Sequence, residues 1–321
     1  MNIETVFRSG ATILTDGGIE TRLIYEFNID LPEFAAYTAL FDDQGRSALT
    51  EIYRGYLAIA SEFQMPMLIG TPTWRAHPDC LRRLGFSKDD DLHRVNAEAV
   101  TFLQGLRRDT RTEALVHIAG VIGPRYDGYR AEDAPGLDEA RDYHHHQAQV
   151  LAGLGVDLLY GPTFASHAEM AGVAHAMAET GLPYALAPVI DDHGRLLDGV
   201  PFTEAARLVG ETADPKPLYY LAGCVHPSTF LSAIEAGEDR MQREIPSRLA
   251  GLKANASPLP PDRLDSLDHL AGDAPAVLAG EILAVRNRYR LRIVGGCCGT
   301  SDRHIRAIAE GLRIDACAGA G

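Results

Sequence analysis

A beat repeated eight times limits the fold of this chain more than any other feature: a short apolar run, then a longer segment with helical spacing. The runs are "ATILTDGG" (11–18), "MPMLIGTPTW" (65–74), "ALVHIAGVIGP" (114–124), "DLLYGPTF" (157–164), "PYALAPVI" (183–190), "PLYYLAGC" (217–224), "RLAGLKANA" (248–256) and "LRIVGGCC" (291–298). Helical segments follow over 47–63, 89–108, 137–153, 166–180, 202–212, 228–236, 276–289 and 302–313. In the first of them Leu49, Ile52, Tyr53, Tyr56, Leu57 and Ala60 recur at the spacing of one helix face. Strands that alternate with helices form a parallel sheet, because parallel neighbours need a crossover connection. Eight such units predict a closed (β/α)8 TIM barrel, and no Ser/Gly linker or charge run divides residues 1–321 into more than one domain. An open doubly wound sheet is the rival, weakened because no Gly-x-Gly-x-x-Gly fingerprint follows the first run. Residues 257–275, rich in proline and aspartate, read as a long loop after the seventh strand.

Charge narrows the partners. The chain has 30 basic against 44 acidic residues, a net charge of −14, which argues against nucleic acid or an anionic membrane surface. No segment approaches the ~18 consecutive apolar residues of a membrane span, and the N-terminus lacks the basic-then-apolar pattern of a secretory signal. Five cysteines with no framework spacing suit reduced thiols in a cytoplasm. Small-molecule partners are therefore expected.

Barrel active sites form at the C-terminal ends of the strands. Placed there are Asp16, Gly17 and Gly18, then Thr71, Thr73 and Trp74, then Gly123 and Pro124. Cys224 and His226 follow the sixth strand, Lys253 and Asn255 end the seventh, and Cys297 and Cys298 end the eighth. Three of the five cysteines thus share one rim. Three thiolates suit a soft or borderline cation, with zinc the default, and three protein ligands leave a fourth position open for catalysis. Neighbours in a regular strand point to opposite faces, so Gly295, Gly296 and Gly299 are expected to release the backbone and let both sulfurs turn inward. Each cysteine taken singly reads equally as a small buried hydrophobe. "HHH" at 144–146 lies on a helix, where successive rings point ~100° apart, and reads as a solvated face. His226 reads as a ligand, a supporting donor or a loop cap, and Asp16 as a turn former or a rim carboxylate.

"TDGGIETRL", the cysteine after strand six and "GGCCGT" together resemble the zinc-dependent homocysteine S-methyltransferases, a resemblance extended by "TPTWRA" (71–76) and "IGP" (122–124). It covers residues 11–313 and implies Zn2+ held by Cys224, Cys297 and Cys298, with the homocysteine sulfur taking the open position and attacking a donor methyl group to give methionine. It also implies that Asp16, Gly17 and Thr73 position the amino acid or the donor; Asn255, on the same rim, is a further candidate substrate contact. Two positions depart from the family pattern. Gly223 stands where Asn is common, and Gly161 and Pro162 occupy the region where many members carry a glutamate for the homocysteine amino group. Another thiol or a selenol as acceptor, a zinc hydrolase, and a non-catalytic zinc protein stay open. Trp74, Tyr126 and Tyr129 read either as a cation–π box for an onium donor or as loop packing. With no room for a folate or cobalamin domain, a small diffusible donor is expected.

Overall fold

The computed structural model describes residues 1–110, 113–236, 249–259, 263 and 270–318. Eight parallel strands close into a barrel in chain order: β1 Ile13–Thr15, β2 Met67–Gly70, β3 Val116–Val121, β4 Leu158–Pro162, β5 Tyr184–Ala187, β6 Tyr219–Val225, β7 Leu249–Ala254 and β8 Ile293–Gly296. Closure is made by β1 on β8, pairing Ile13 with Ile293 and Leu14 with Val294. The crossover helices are α3 Asp43–Phe63, α5 Asp91–Arg108, α6 Leu137–Gly153, α7 His167–Ala178, α8 Phe202–Thr212, α9 Pro227–Ala236, α10 Pro275–Tyr289 and α11 Asp302–Ala318. Three short helices outside the eightfold beat join them: α1 Ile3–Arg8, α2 Glu20–Tyr25 and α4 Pro78–Arg83. Among the described residues none of the helices is long and apolar enough to cross a membrane.

Alternation along the strands separates two cores. Ile13, Leu68, Ala119, Leu158, Tyr160, Ala185, Tyr219, Leu221, Ala250 and Ile293 pack together inside the barrel, joined by Ile3, Val6 and Phe7 of α1. Leu14, Met67, Ile69, Ile118, Leu159, Leu186, Tyr220, Leu252 and Val294 belong instead to the larger core beneath the helices. Period-2 alternation is what parallel strands wrapped by helices require when both faces are buried. α1 plugs the barrel: the Phe7 ring lies 4.9 Å from Tyr219, and the Arg292 guanidinium sits 4.0 Å above it.

The apolar runs outlast the strands because side chains take over the ladder at their ends. After β2, the Val121 N–H donates to the Thr71 hydroxyl (2.9 Å), and the chain leaves the sheet there. Of the expected loop 257–275, residues 260–262 and 264–269 lie outside the described residues, as does Arg248 of the expected seventh strand. The "HHH" expectation is corrected in part. His145 and His146 are exposed, but His144 is fully buried, 3.2 Å from Glu169 Oε1 and edge-on to Phe164. It falls on the α6 face that meets α7, so burial rather than hydration sets its environment.

Candidate active site

Cys224, Cys297 and Cys298 bring their sulfur atoms within 4.8 Å of one another. Cys224 and Cys297 are paired as a disulfide, with Cα atoms 5.6 Å apart, and Cys298 lies beside them. Only reduction of that pair turns the three sulfurs into three thiolate donors. In that state the set fits a soft divalent cation, since sulfurs bonded at ~2.3 Å around a tetrahedral ion stand about 3.8 Å apart.

Cys224 reaches the cluster by breaking strand rules. Tyr219 and Leu221 face the lumen while Tyr220 and Ala222 face the helices, so strict alternation sends position 224 outward. The β6–β7 register shifts between Gly223 and Val225, and Cys224 takes a φ of 54°. A bulge leaves one residue unpaired and re-aims its side chain, which here delivers the sulfur to the β8 end. Asn255 fixes the bulge, its side-chain N–H donating to the Cys224 carbonyl at 2.8 Å.

The paired cysteines lie past β8 in a turn, so alternation does not govern them. Cys297 N–H donates to the Ala254 carbonyl (2.7 Å), Thr300 N–H donates to the Cys297 carbonyl (3.2 Å), and Ala256 N–H donates to the Cys298 carbonyl (3.0 Å). Gly299, third in that turn, has φ 78°, the left-handed conformation a type II turn demands there. The expectation for the glycines is therefore corrected: Gly299 supplies conformational freedom, whereas Gly295 and Gly296 remain in β8 and supply space. A Cβ on Gly295 would strike the Thr15 hydroxyl, and one on Gly296 the Thr300 hydroxyl.

The segment after β1 is stitched onto this turn. Gly18 N–H donates to Thr300 O (3.2 Å) and lies 3.1 Å from Thr300 Oγ1, and Gly299 N–H donates to Thr21 Oγ1 (3.2 Å). Gly17 and Gly18 are small because they touch neighbours; a Cβ on Gly17 would lie 2.6 Å from Thr300 Oγ1 and 2.8 Å from the Tyr56 hydroxyl.

Asp16 is nearly fully buried and engaged at both oxygens. Its Oδ2 accepts from Gly70 N–H (2.7 Å), and its Oδ1 is in close ion-pair contact with Lys253 Nζ. Lys253 also donates to Thr15 Oγ1 (3.2 Å) and the Asp16 carbonyl (3.3 Å). Composition gave Lys253 no role; the signal was its place near the end of a barrel strand. Asn255 Oδ1 is buried with no hydrogen-bond partner among the described residues, which leaves an acceptor unspent beside the sulfurs. Thr73 is corrected: it is fully buried, its hydroxyl shared between Thr71 Oγ1 (2.6 Å) and the Val121 carbonyl (2.7 Å), so it braces its loop instead of presenting a hydroxyl to the mouth.

Of the two readings of the aromatics, the contacts favour loop packing. The face of Trp74 is covered by Arg75, 4.3 Å from the ring centroid, and its indole N–H donates to Thr163 Oγ1 (2.8 Å). Tyr126 is exposed beside Arg125, and Tyr129 packs partly buried on the outer core. His226 acts as a latch. Its Nδ1 accepts from Ser228 N–H (3.2 Å), and its Nε2 faces Asp273 (3.0 Å), tying β6 to the segment before α10. The two departures have packing causes. A Cβ at Gly223 would lie 2.9 Å from Ala187 Cβ, and one at Gly161 would meet Leu186, Phe164 and Met177 at 3.0–3.2 Å. Gly161 thus faces α7 and the outer core, away from the mouth.

The homocysteine S-methyltransferase family profile matches residues 13–312. An orangutan (Pongo abelii) S-methylmethionine–homocysteine S-methyltransferase BHMT2 is 31% identical over 191 residues, 54% of this chain and 50% of that protein; the chain thus spans about half the length of that relative. Zebrafish (Danio rerio) betaine–homocysteine S-methyltransferase 1 is 25% identical over 96% of this chain and 74% of its own length. The fold is shared with the metallated form of the Escherichia coli homocysteine methyltransferase MmuM, at TM-score 0.74 and 16% identity over 96% of this chain and 98% of that one.

Proposed function

This chain belongs to the homocysteine S-methyltransferase family, and on that premise we propose that it moves a methyl group from a small onium donor to the thiol of homocysteine, forming methionine, with Cys224, Cys297 and Cys298 holding Zn2+. The observation that carries the reading is the convergence of three sulfurs from two distant segments at the mouth of one barrel. Zinc bound there supplies one thing, a lowered thiol pKa that keeps an incoming sulfur as the nucleophilic thiolate.

The protein's own residues do the rest. Asn255 holds the Cys224 carbonyl, and so the sulfur position, while its free Oδ1 offers an acceptor to a substrate N–H. The turn at Cys297–Thr300 sets the backbone that carries the other two sulfurs, through backbone hydrogen bonds and the hydroxyls of Thr300 and Thr21. Lys253 lies opposite Gly295 in the β7–β8 ladder, two positions before Cys297, and brings a cation to the strand ends that carry the cysteines. Asp16, spent on Lys253 and Gly70, orients that cation, and Gly17 lets the β1 end approach Thr300 closely enough to wall the site. The whole of residues 1–321 serves as one barrel domain, and the need for free thiolates suits a reducing compartment such as the cytoplasm.

The test is a donor screen on reduced, zinc-loaded protein, following methionine formation from homocysteine with S-methylmethionine, betaine, S-adenosylmethionine and methylfolate. One of the onium donors is expected to turn over. Cys298→Ala is expected to lower bound zinc well below one per chain by metal analysis, and to reduce transfer at least ~100-fold, the scale seen when a metal's supports are removed. Undiminished transfer by the metal-free protein would sink the zinc reading.

A further inference from the structure

Arginine recurs at every second position over 286–292, "RNRYRLR", where the chain leaves α10 and enters β8. Arg288 is spent on Glu235 (3.0 Å). Arg286, Arg290 and Arg292, with Thr12 and Asn287, line a cavity of about 310 Å³ beside the N-terminal ends of β1 and β8, at the opposite end of the barrel from the sulfurs. Among the described residues no carboxylate lines it, and none of the three arginines is in an ion pair, although acidic residues outnumber basic ones 44 to 30. Arg286 is held in place by Thr12 Oγ1 (2.9 Å) and Asn287 Oδ1 (2.7 Å), which accept from its two terminal nitrogens. Its Nε is buried with no hydrogen-bond partner. Arg292 donates to the Phe7 carbonyl (3.0 Å), and the Arg290 side chain is exposed with no partner among the described residues. Carbonyls at a helix C-terminus disfavour an anion, but the Arg286 carbonyl is capped by the N–H groups of Arg290 and Leu291.

We propose that this cavity binds a phosphate group, free or carried by a small molecule. Three guanidinium groups gathered without counter-charge repel one another, and an anion between them relieves that cost. A guanidinium fork pairs with the oxygens of phosphate or carboxylate. Phosphate matches this set better, because it brings close to two negative charges and three strong acceptor oxygens, whereas a carboxylate brings one charge and two oxygens. The volume lies at the small end of the ~300–1,000 Å³ common for small-molecule sites, so it admits a phosphate with a modest organic part. The cavity stands apart from the sulfurs and owes nothing to their chemistry.

Calorimetric titration of the full-length, reduced, zinc-loaded chain tests this with adenosine 5′-monophosphate, inorganic phosphate, adenosine and succinate. Ionic strength is held constant so that general screening does not change. The better of the two phosphates is expected to bind at least ~10-fold tighter than adenosine or succinate, the scale of a charge-assisted hydrogen bond. Equal binding of the two phosphates identifies the free anion as the ligand, and tighter binding of the nucleotide identifies a carried phosphate. Arg290→Ala is expected to weaken phosphate binding ~5–10-fold and Arg290→Glu to abolish it. Neither variant removes a printed side-chain contact, so zinc content and methyl transfer are expected to stay at the wild-type level. Wild-type phosphate affinity in both variants overturns the location. Succinate bound as tightly as phosphate overturns the phosphate assignment, and a wild-type chain that binds neither phosphate at millimolar concentration overturns the site.

Discussion

Cys224 sits at φ 54°, a region that costs a non-glycine residue roughly 1–3 kcal/mol. Held there by Asn255 and the β6 bulge, it delivers a sulfur that an ordinary strand would turn toward the helices. Glu20 is a second residue held at a cost in stability. Its carboxyl is raised from 4.5 to about 7, chiefly by burial, so the folded chain holds this proton more tightly than the unfolded chain. Stability from this group is therefore full below pH 4.5 and is lost as pH rises toward 7. Glu20→Gln is expected to match wild type near pH 5 and to exceed it at pH 8 by on the order of 1–2 kcal/mol, read by urea unfolding at both pH values. Equal stability at pH 8 would show that Glu20 is ordinarily solvated. The identity of residue 20 was plain in "GGIET"; its burial was not, because Lys253 and Arg75, whose charges reach it, come from segments distant in sequence.

At the scale of the element, the turn after β8 decides where two sulfurs go. Gly299 at φ 78° closes it, and a Cβ there would also approach Ala256 Cβ at 3.0 Å. Gly299→Ala is expected to cost about 1–2 kcal/mol in chemical unfolding and to weaken zinc retention against a competing chelator, because the carbonyls of Cys297 and Cys298 would shift with the turn. Wild-type zinc retention in that variant would mean that the turn does not set the sulfurs. The motif itself was legible, as was its need for small neighbours. The division of labour among the glycines was not: Gly295 and Gly296 look like hinge residues in sequence, yet they answer to Thr15 and Thr300 across the barrel seam. Likewise Gly161 looks like a lost substrate contact until β4 is seen to turn it under α7.

Over the whole molecule, buried polar side chains brace the wall behind the mouth. His77 Nδ1 meets the Tyr143 hydroxyl (2.8 Å), and Gln147 donates to the Thr73 carbonyl (3.3 Å), linking α6 to the loop after β2. Burial, with Arg75 and His144 nearby, pushes His77 down to about 3. The unfolded chain therefore binds a proton near pH 6.5 that the folded chain refuses, so stability is full above pH 6.5 and falls as pH drops toward 3. His77 is expected to remove about 2 kcal/mol between pH 7 and pH 5, and His77→Gln to show a correspondingly shallower loss in denaturant unfolding. The same slope in both proteins would place the titrating group elsewhere.

The alternation of apolar and helical segments determined the eight strand–helix units, because period is a local property of the chain, and it brought three cysteines to one rim because barrel ends follow from strand ends. The bulge at Cys224, the Asp16–Lys253 pair, the burial of His144 and the burial that raises Glu20 were decided only by the tertiary structure. Each depends on which side chains meet across the barrel, and that is fixed by register and closure between segments that no local pattern relates.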